Sequence, residues 1–505
     1  MGSLPFAGVG RWTRGAVTRI RAVHPDSRRT AWVAGCVQRG NMTPIATPAV
    51  ALDTTPGGSP SRPDSGLVTP AGRVFARRAT SLAPRIVVLG GGFAGVTAAL
   101  ELAKRCAGTL PVDITLISDR NFFLFTPMLA EAATGAVETR HVLHPIRPLC
   151  TTAGIEFGEM RVETIDLARR RVTMRHSRSR ARQEIRYDRL VLALGAAPNV
   201  GMAPGAAEHA LTFKGAGDAL QIRNRVIDLF EAAALTDDPW IQRRLLTFVV
   251  VGAGHAGTEL MAALEELARG ILLRHYPSIS PDAVRLVLVG SAILPQTATN
   301  LAAYAKERLL GRGIEIEPSR AAKVSAEGLE LQDGRLIQSH CVIWTAGNRV
   351  NPVVTPLPVA KAKDGRLLVN EFFEVQGAPG VYALGDNAAQ TDFHTGEAYV
   401  ATAQVALRQG RALAAQIEAD LTGRVRRPFR FRLLGEMVPL SRRTAVADLM
   451  GLKLTGFPAW FLWKTIYMLK LPTLATRVRV VLDWTVELFF ERDVSELAVD
   501  EKAGG

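Results

Sequence analysis

Two copies of one glycine pattern constrain the fold of this chain more than any other feature. Residues 90–95 read Gly-Gly-Gly-Phe-Ala-Gly after the apolar run 86–89, and residues 252–257 read Gly-Ala-Gly-His-Ala-Gly after the apolar run 248–251. A buried strand, a glycine turn and an apolar-periodic helix let the backbone approach a pyrophosphate, whose charge the helix N-terminus favours. Two copies therefore predict two bound dinucleotides in one chain.

A third pattern lies far downstream, where the apolar segment 381–384 is followed by Gly385 and Asp386. A carboxylate at the end of a strand can accept hydrogen bonds from a second part of one of the two cofactors. The glycine pair together with this element predicts electron transfer between a nicotinamide and a flavin.

The basic charge of the chain is concentrated at its N-terminus. The formal net charge is +14, and residues 1–84 hold 11 Arg and 3 Asp with no Lys or Glu, so eight of the fourteen charges lie there. This segment is rich in Pro, Gly, Ser and Thr, and we interpret it as a disordered basic extension. The remaining chain shows no recognisable nucleic-acid module. We therefore expect no nucleic-acid partner and regard a membrane surface as the basic partner of the chain.

Cysteine and histidine positions argue against a metal centre or a dithiol relay. The four cysteines are widely separated, without a Cys-x-x-Cys pair or a paired metal spacing. His141 and His144 have the spacing of a zinc pair, but no carboxylate or cysteine ligand follows at a suitable distance in the sequence. We interpret both histidines as structural or solvent-exposed and predict no metal.

Strand and helix patterns alternate from Arg85 onwards. A strand at 85–89, a helix near 96–105 and a strand at 113–118 form a βαβ unit. Further apolar strands, typical of sheets covered on both faces, are predicted at 189–194, 247–251, 284–289, 341–345 and 381–384. Because the Gly385-Asp386 element follows the second glycine pattern, the simplest layout inserts the second nucleotide domain into the first. We therefore predict an α/β fold with a discontinuous first domain at 85–212 and 348–440 and a second domain at 213–347.

At this point the residues resemble a known family. The chain from about residue 85 to its end looks like a type II NAD(P)H:quinone oxidoreductase, within the two-dinucleotide flavoproteins that include glutathione reductase. The resemblance implies two Rossmann-like domains, the second inserted in the first, and a C-terminal membrane-associating segment. It rests on the glycine patterns and on four further stretches: 121–129 (Asn-Phe-Phe-Leu-Phe-Thr-Pro-Met-Leu), 193–199 (Ala-Leu-Gly-Ala-Ala-Pro-Asn), 342–347 (Val-Ile-Trp-Thr-Ala-Gly) and 401–406 (Ala-Thr-Ala-Gln-Val-Ala).

The resemblance implies FAD and either NADH or NADPH as the two dinucleotides. Gly252, Gly254 and Gly257 would receive the nicotinamide dinucleotide, and Asp386 would hold the ribityl chain of FAD. The other residues expected at the FAD site are Gly90, Gly92, Phe93, Ala94, Gly95, Gly195 and Gly385. Glycines at the turn positions provide the tight turn, the close backbone approach and the helix-to-strand packing that the fingerprint needs.

The residues that would contact the two adenosine riboses are less regular. After the second strand of the first unit, Ser118 stands where the family often has an acid, and either Ser118 or the adjacent Asp119 could contact the ribose. In the second unit, alignment on the Ile293-Leu294-Pro295 stretch puts Leu288 where an acid would bind the 2′-hydroxyl of NADH. NADH and NADPH therefore both stay open, and NADH is favoured because no basic phosphate clamp is visible.

Two short stretches carry the chemistry that the resemblance implies. Glu259, two residues past the last glycine of the second pattern, is expected on the first turn of its helix and corresponds to a family glutamate near the flavin and the nicotinamide. Its alternative role is a solvent-facing acid at a helix N-terminus. Ala403 and Gln404 match a quinone-binding Ala-Gln pair, and Arg408 replaces a second family glutamine, which leaves the quinone type open.

The C-terminal region, 441–505, is expected to hold the protein on a membrane. Aromatic residues alternate with Lys and Arg between 457 and 490, including Lys464 and Lys470. Aromatic rings favour the headgroup level, and the run is too short and too charged to span a bilayer. We expect a peripheral protein of the respiratory chain on the cytoplasmic face of the inner membrane. Burial of this segment against the flavin domain or in a homodimer is the alternative.

The predicted activity is FAD-dependent transfer of a hydride from NAD(P)H and of electrons to a membrane quinone, without proton pumping. A sulfide:quinone reductase is the nearest enzyme alternative, and it would need reactive cysteines beside the flavin, for which Cys150 and Cys341 are poor candidates. A non-enzymatic scaffold that binds FAD and a nucleotide is the second alternative, and Leu288 is the feature that supports it.

Overall fold

The apolar run before each glycine turn forms the middle strand of a five-stranded parallel sheet in the computed structural model, which describes residues 83–441 and 443–497. The first sheet is ordered Val381–Ala383, Arg189–Leu192, Arg85–Leu89, Asp113–Ser118, Glu156–Glu159. The second is ordered Leu211–Thr212, Cys341–Trp344, Thr247–Val251, Arg285–Val289, Glu315–Glu317. All but two residues of the expected N-terminal extension, and Cys36 with them, lie outside the described residues.

Both central strands are buried along their whole length. Arg85–Leu89 and Thr247–Val251 are covered on both faces, as their continuous apolar sequences predict. Each such Val, Leu or Ile contributes about 1.5–3 kcal/mol through the apolar surface that it removes from water. The α/β fold with two Rossmann-like sheets is therefore confirmed, and the predicted strands agree with the observed ones to within two residues at each end.

The helix after the first glycine turn begins earlier than its periodicity predicts. It spans Phe93–Cys106, with Gly92 at its N-cap, and buries Ala94, Ala98 and Leu102 at four-residue spacing. It packs against the long helix Ala403–Thr422. The two axes come close because Gly410 has no side chain: an added Cβ would lie 2.7 Å from the backbone oxygen of Ala94.

The remaining elements surround the two sheets. Small antiparallel sheets are formed by Arg161–Asp166, Arg171–Arg175 and Arg182–Arg186, by Ala321–Ser325, Gly328–Leu331 and Leu336–Gln338, and by the pair Phe122–Leu124 with Leu143–Pro145. The short strands Leu367–Leu368 and Ala388–Ala389 form a parallel pair. The other α-helices before the C-terminal region are Leu129–Ala133, Ile146–Thr152, Ala206–His209, Ala216–Ala234, Pro239–Leu245, His255–Glu265, Leu273–His275 and Thr299–Gly311. A π-helix, Glu266–Leu272, continues the helix of the second glycine turn.

The chain passes between the two sheets through a short antiparallel ladder. Ala196–Pro198 pairs with Asn348–Val350, so the outgoing and returning segments run side by side. Leu211–Thr212 already belongs to the second sheet, and Val381–Ala383 pairs with Arg189–Leu192 in the first. The glycine units thus lie in different sheets, and the chain returns to the first sheet after the second is complete.

The C-terminal region consists of a β-sheet followed by two helices. The strands Gly435–Ser441, Thr444–Leu449 and Leu452–Thr455 form an antiparallel sheet, and the helices are Gly456–Lys470 and Leu474–Phe489. Within the part of the chain that the structure describes, no helix combines the length and the apolar character needed to cross a bilayer.

Candidate functional site

A cavity of about 700 Å³ opens at the carboxyl end of the first sheet, beside the first glycine turn. Ligand sites in open α/β sheets lie at this edge. The cavity is lined by segments that are more than 300 residues apart in the sequence. The predicted site residues on its wall are Gly90, Gly92, Phe93, Ala94, Ser118, Asp119, Gly195, Gly385, Asp386 and Ala403.

The first glycine turn has the geometry of a phosphate cradle. Gly90 has φ of +118°, and an added Cβ there would overlap the backbone oxygen of Ala193. An added Cβ at Gly95 would overlap the oxygen of Gly90, so this glycine lets the helix pack closely on the strand. Gly92 faces open space at the cavity wall, which leaves its backbone accessible to a ligand.

Two helix N-termini contribute positive charge to the cavity, and its wall carries four basic and three acidic side chains: Arg120, Arg161, Lys214, Arg349, Asp119, Asp218 and Asp386. The helices Phe93–Cys106 and Ala403–Thr422 both begin at the cavity wall and carry no acid in their first turns. Lys214 also lines the cavity, with its Nζ 3.6 Å from Oδ2 of Asp386. The donor set therefore fits an anionic dinucleotide with a polyhydroxyl chain, since amide groups and a helix dipole favour phosphate and Asp386 can accept from hydroxyls.

A buried glutamine holds the Gly385 turn in place. Gln409 accepts a hydrogen bond from the Gly385 amide at 2.8 Å, and its Nε2 donates to Oε1 of Gln390 at 3.0 Å. Asn387 donates to the oxygen of Gly195 at 2.8 Å. Neither Gln409 nor Asn387 was predicted from the sequence as a site residue. Two features of the sequence could have indicated them. Gln409 is a polar residue on the apolar face of its helix, and Asn387 closely follows the end of a strand.

The second glycine turn repeats the geometry of the first. Gly252 has φ of +111°, and an added Cβ at Gly257 would overlap the oxygen of Gly252. The Gly252 amide donates to the oxygen of Val289 at 2.8 Å, just as the Gly90 amide donates to the oxygen of Ile117 at 2.7 Å. Gly254 is the N-cap of the helix His255–Glu265. The second unit therefore also presents backbone amides and a helix N-terminus, as predicted from its glycines.

The repeated ladder corrects the position assigned to Leu288. Because Ile117 and Val289 are equivalent, the residue equivalent to Ser118 is Gly290, which follows the strand Arg285–Val289. Leu288 lies inside that strand and is fully buried in the core. The alignment on residues 293–295 failed because the chain between the strand end and Ile293 is two residues shorter than that alignment assumes.

Glu259 is neither on the first turn of its helix nor turned towards solvent. It is the fifth residue of His255–Glu265 and is partly buried. Burial, and secondly the negative charge of Glu131, raise the pKa of Glu259 to about 8. The carboxyl group can therefore hold a proton at neutral pH.

Glu131 and Lys464 connect the site to the C-terminal helices. Oε1 of Glu131, in the short helix Leu129–Ala133, lies 3.4 Å from Nζ of Lys464. Lys464 also lies over the ring of Trp484, 4.1 Å from its centroid. Burial raises the pKa of Glu131, and the lysine opposes that shift. Lys464 was expected at the lipid headgroups, but its side chain is only 12% exposed and its charge faces the largely shielded carboxylate of Glu131.

The predicted quinone residues differ in their surroundings. Ala403 lines the cavity, whereas Gln404 is partly buried and accepts a hydrogen bond from the Leu434 amide at 3.0 Å. Arg408 is exposed, and its guanidinium lies over the Phe431 ring at 5.5 Å. The structure therefore places these three residues along one helix at increasing distance from its N-terminus.

Comparisons with known proteins agree with this geometry. The pyridine nucleotide-disulphide oxidoreductase family matches residues 84–410, and the NDH2 C-terminal domain family matches residues 435–493. The type II NADH:quinone oxidoreductase Ndh of Mycobacterium tuberculosis is 31% identical over 437 residues, which cover 83% of this chain and 91% of that protein. The chain belongs to the type II NADH:quinone oxidoreductase family.

Two further proteins show how widely the similarity extends, one in sequence and one in fold. The external alternative NAD(P)H-ubiquinone oxidoreductase B4 of Arabidopsis thaliana is 28% identical and covers 82% of this chain and 89% of its own. NDH2 from Plasmodium falciparum, solved in complex with NADH, superposes with a TM-score of 0.75 at 19% identity and covers 82% of this chain and 99% of its own.

His141 and His144 both have structural contacts. His141 Nδ1 lies 2.5 Å from Oδ2 of Asp483, and His144 stacks on Phe123 with ring centroids 5.8 Å apart. Burial lowers the pKa of His144 to about 4, so the ring is neutral at physiological pH. Over the described ranges, no group of His, Cys, Asp and Glu side chains could hold a metal ion.

Proposed function

We propose that the large cavity binds FAD, that the second glycine turn binds NADH or NADPH, and that a hydride passes from the nicotinamide to the flavin before the electrons reach a quinone. The observation that carries this proposal is the repetition of one phosphate cradle, with the same strand ladder and the same glycine contacts, in two sheets of one chain. A chain that only needed tight turns would not need the close backbone approach twice.

Different residues at the cavity wall would bind different parts of FAD. Backbone amides near Gly90, Gly92 and the start of the helix at Phe93 would bind the pyrophosphate, and Asp386 would accept from the ribityl hydroxyls. Ser118 or Asp119 would contact the adenosine ribose. When FAD is bound, its isoalloxazine ring supplies the redox chemistry, and the protein supplies binding, orientation and electrostatics. The N-terminus of Ala403–Thr422 favours negative charge at the cavity.

Glu259 is proposed to move protons during quinone reduction. Formation of a quinol takes up two protons with two electrons, and a carboxyl group with a pKa near 8 is protonated at rest and can release its proton to a developing anion. Gln404 uses its side-chain oxygen for Leu434, so its amide nitrogen is the group that can donate to a quinone carbonyl. Arg408, further along the helix, is proposed to stabilise a reduced quinone.

The exposed apolar face of the last two helices is proposed to lie on a membrane, on the cytoplasmic face of the inner membrane. Leu474, Val478 and Leu482 expose one side of Leu474–Phe489, while Val480 and Thr476 face inwards. A soluble protein rarely exposes such a contiguous apolar stripe without a partner. A homodimer that covers the same stripe is the competing arrangement, and we propose no nucleic-acid partner.

The expected domain limits also stay a proposal. The return of the chain to the first sheet at Val381–Ala383 supports a discontinuous FAD domain, 85–212 and 348–440, around a nucleotide domain, 213–347. The segment 441–505 would then carry the membrane face, with its described part formed by the antiparallel sheet and two helices.

Thiol chemistry has little support in this chain. Cys106, Cys150 and Cys341 are unpaired and buried. Burial raises the pKa of all three, that of Cys150 to about 11 and that of Cys341 to about 12, so each stays a thiol rather than a nucleophilic thiolate. These surroundings favour quinone reduction by NAD(P)H over the sulfide:quinone alternative.

Anaerobic spectroscopy tests the proposed function directly. Purified protein should carry bound flavin, and NADH or NADPH should bleach its absorbance within one turnover. A soluble quinone should then restore the oxidised spectrum. Sulfide added in place of the nucleotide should not bleach the flavin. Protein that remains colourless with excess FAD, or flavin that neither nucleotide reduces, would contradict the proposal.

A further inference from the structure

The net positive charge of the chain after residue 84 lies in one small sheet. Residues 85–505 carry a formal charge of +6, and the segment 161–186, with nine Arg, no Lys and three acids, alone carries +6. Outside this segment the charges of residues 85–505 therefore cancel. We call the three antiparallel strands of the segment the arginine sheet: Arg161–Asp166, Arg171–Arg175 and Arg182–Arg186.

The arginine sheet has one buried face and one outer face. Val172 and Met174 point inwards and share a hydrophobic core with Ile185 of the next strand. Because side chains alternate along a strand, their neighbours Arg171 and Arg175 lie on the outer face. The charges are therefore collected on a single surface and are not spread around the molecule.

Three arginines of the outer face form a row across the strands. Arg161 is directly opposite Arg175, and Arg175 is directly opposite Arg182. One carboxylate, that of Glu163, serves two of the three, 2.8 Å from Nε of Arg175 and 2.9 Å from Nε of Arg182. Like charges directly opposite each other destabilise a sheet. Natural proteins break such local rules mainly at functional sites, where a ligand compensates.

An ordered turn adds two more cations beside this row. His176 Nδ1 accepts hydrogen bonds from the amides of Arg178, at 3.3 Å, and Ser179, at 3.1 Å. The Arg180 amide donates to the oxygen of His176 at 3.1 Å. Arg178 and Arg180 are both exposed. The turn therefore holds its two guanidinium groups next to the strand ends at Arg175 and Arg182.

The arginine sheet is too wide for one small anion. The row lines an open groove of about 480 Å³, together with Glu163 and Thr173. Two strand spacings make the row about 10 Å wide, and the opposed pair Arg171 and Arg186 lies four residues, or about 13 Å, further along the strands. A chain with several carboxylates can reach both sets of arginines, whereas a single phosphate cannot.

The arginine sheet does not face the proposed membrane surface. Ile86 and Val88 share a core with Leu471 and Val480 of the C-terminal region. Val87 and Leu89 share another core with Val172 and Ile185 of the arginine sheet. Since successive side chains of a strand point to opposite faces, the C-terminal helices and the arginine sheet cover opposite faces of the first sheet. Lipid against the last helix would lie on the other side of the molecule.

The composition of the arginine sheet favours a protein over a nucleic acid. Residues 161–186 contain no Phe, Trp or Tyr on which bases could stack. Glu163 and Glu184 lie among the arginines and form ion pairs with them, so a uniformly anionic phosphate backbone would meet both signs of charge. A protein surface that is mainly acidic but mixed can complement such a pattern.

We infer that the arginine sheet is a docking surface for an acidic segment of a soluble protein partner, on the side of the molecule opposite the last two helices. Carboxylates of that segment would form charge-assisted, bidentate pairs with the guanidinium groups of the row. Binding there is additional to the proposed function, and only the exclusion of lipid depends on the proposed membrane face.

A fluorescent oligoglutamate peptide that carries a photo-crosslinking group tests this surface on the full chain with bound flavin. Three proteins are compared: the natural chain, Arg175→Gln/Arg182→Gln, and the matched control Arg308→Gln/Arg320→Gln, which removes the same charge from exposed positions elsewhere. The first variant should bind the peptide at least about tenfold more weakly, because two of the three cations of the row are gone. The control should bind like the natural chain.

The crosslinks should map to residues 161–186. Equal affinity of the peptide for all three proteins would overturn the inference, as would crosslinks confined to the basic segment 1–84. Single-stranded RNA of the same length should bind more weakly than the peptide, and tighter RNA binding that Arg175→Gln/Arg182→Gln abolishes would assign the surface to nucleic acid instead.

Flotation with anionic vesicles separates this surface from the membrane face. Arg175→Gln/Arg182→Gln should float like the natural chain, and a loss of flotation would mean that the arginine sheet contacts lipid, which would overturn the inference. Flavin that neither nucleotide bleaches would contradict the proposed function alone, because binding of the peptide needs no turnover.

Discussion

Glu131 and Lys464 form an ion pair that is largely shielded from solvent, with 3.4 Å between Oε1 and Nζ, although 332 residues separate them in the chain. The pair joins the short helix Leu129–Ala133 to the C-terminal helix Gly456–Lys470. Glu131 also raises the pKa of Glu259, so the C-terminal helix is linked electrostatically to the proposed proton donor. The region expected to bind a membrane therefore also contributes a charge that acts, through Glu131, on Glu259.

Removal of the lysine should destabilise the protein. Lys464→Met leaves Glu131 without its cation, and breaking a buried ion pair at one partner typically costs about 3 kcal/mol or more. The unfolding temperature, followed by the release of flavin fluorescence, should fall clearly. The double variant Lys464→Met/Glu131→Gln removes both charges and should recover most of the loss. Equal unfolding temperatures for Lys464→Met and the natural chain would show that the pair contributes nothing.

Glu259→Gln should lower the activity of the protein while raising its stability. Quinone reduction should fall by about 100-fold, the usual contribution of a general acid or base, while FAD stays bound. The folded protein holds a proton on Glu259 up to about pH 8, whereas the unfolded chain loses it near pH 4.5, so this carboxyl costs stability as the pH rises through that range. The variant should therefore gain stability relative to the natural chain between pH 6 and pH 8.

Stopped-flow measurement of both half-reactions tests the effect on activity. Unfolding temperatures at several pH values test the effect on stability. The matched control is Glu208→Gln, which changes an exposed glutamate in the helix Ala206–His209. Unchanged rates for flavin reduction and for reoxidation by quinone would remove Glu259 from the mechanism.

His144 should make the protein less stable in acid. The unfolded chain takes up a proton on this ring near pH 6.5, but the folded protein does so only near pH 4, so stability falls as the pH drops between these values. The loss from pH 7 to pH 5 should be about 2 kcal/mol. In denaturant titrations at the two pH values, His144→Gln should reduce this loss, and the exposed His394→Gln should not. Identical pH dependence in all three proteins would contradict the assignment.

The exposed stripe on the last helix should control membrane binding. Leu474 and Leu482 are 74% and 56% exposed, and insertion of each into a bilayer should contribute about 1.5–3 kcal/mol. Leu474→Ser/Leu482→Ser should therefore lower flotation with vesicles that contain anionic lipid by more than tenfold. Leu310→Ser/Leu336→Ser changes leucines that are 49% and 43% exposed elsewhere and should leave flotation unchanged.

Point variants test membrane binding better than deletion of residues 441–505 would, because that segment also packs on the core. Trp463 is buried between the helix Gly456–Lys470 and its β-sheet, and Leu471 and Val480 belong to the core of the first sheet. Retained flotation together with a loss of dimer in the Leu474→Ser/Leu482→Ser protein would favour the homodimer over the membrane.

Local sequence patterns predicted the framework of this protein well. The continuous apolar runs before Gly90 and Gly252 identified the central strands because both sheet faces are covered. The cavity wall followed from the glycine turn and Asp386. Long-range pairs were missed, since nothing near Lys464 in the sequence indicates a carboxylate more than 300 residues away. The ribose position was misplaced because only the hydrogen-bonded register reveals that Gly290, and not Leu288, follows the strand.

The missing side chain at Gly410 ties the width of the cavity to a contact between two helices. The helices Phe93–Cys106 and Ala403–Thr422 both begin at the cavity wall, and a Cβ at 410 would lie 2.7 Å from the backbone oxygen of Ala94. A larger residue at 410 would push the two helices apart and change the separation of their first turns. One glycine two turns into a helix therefore helps to set the dimensions of the binding site.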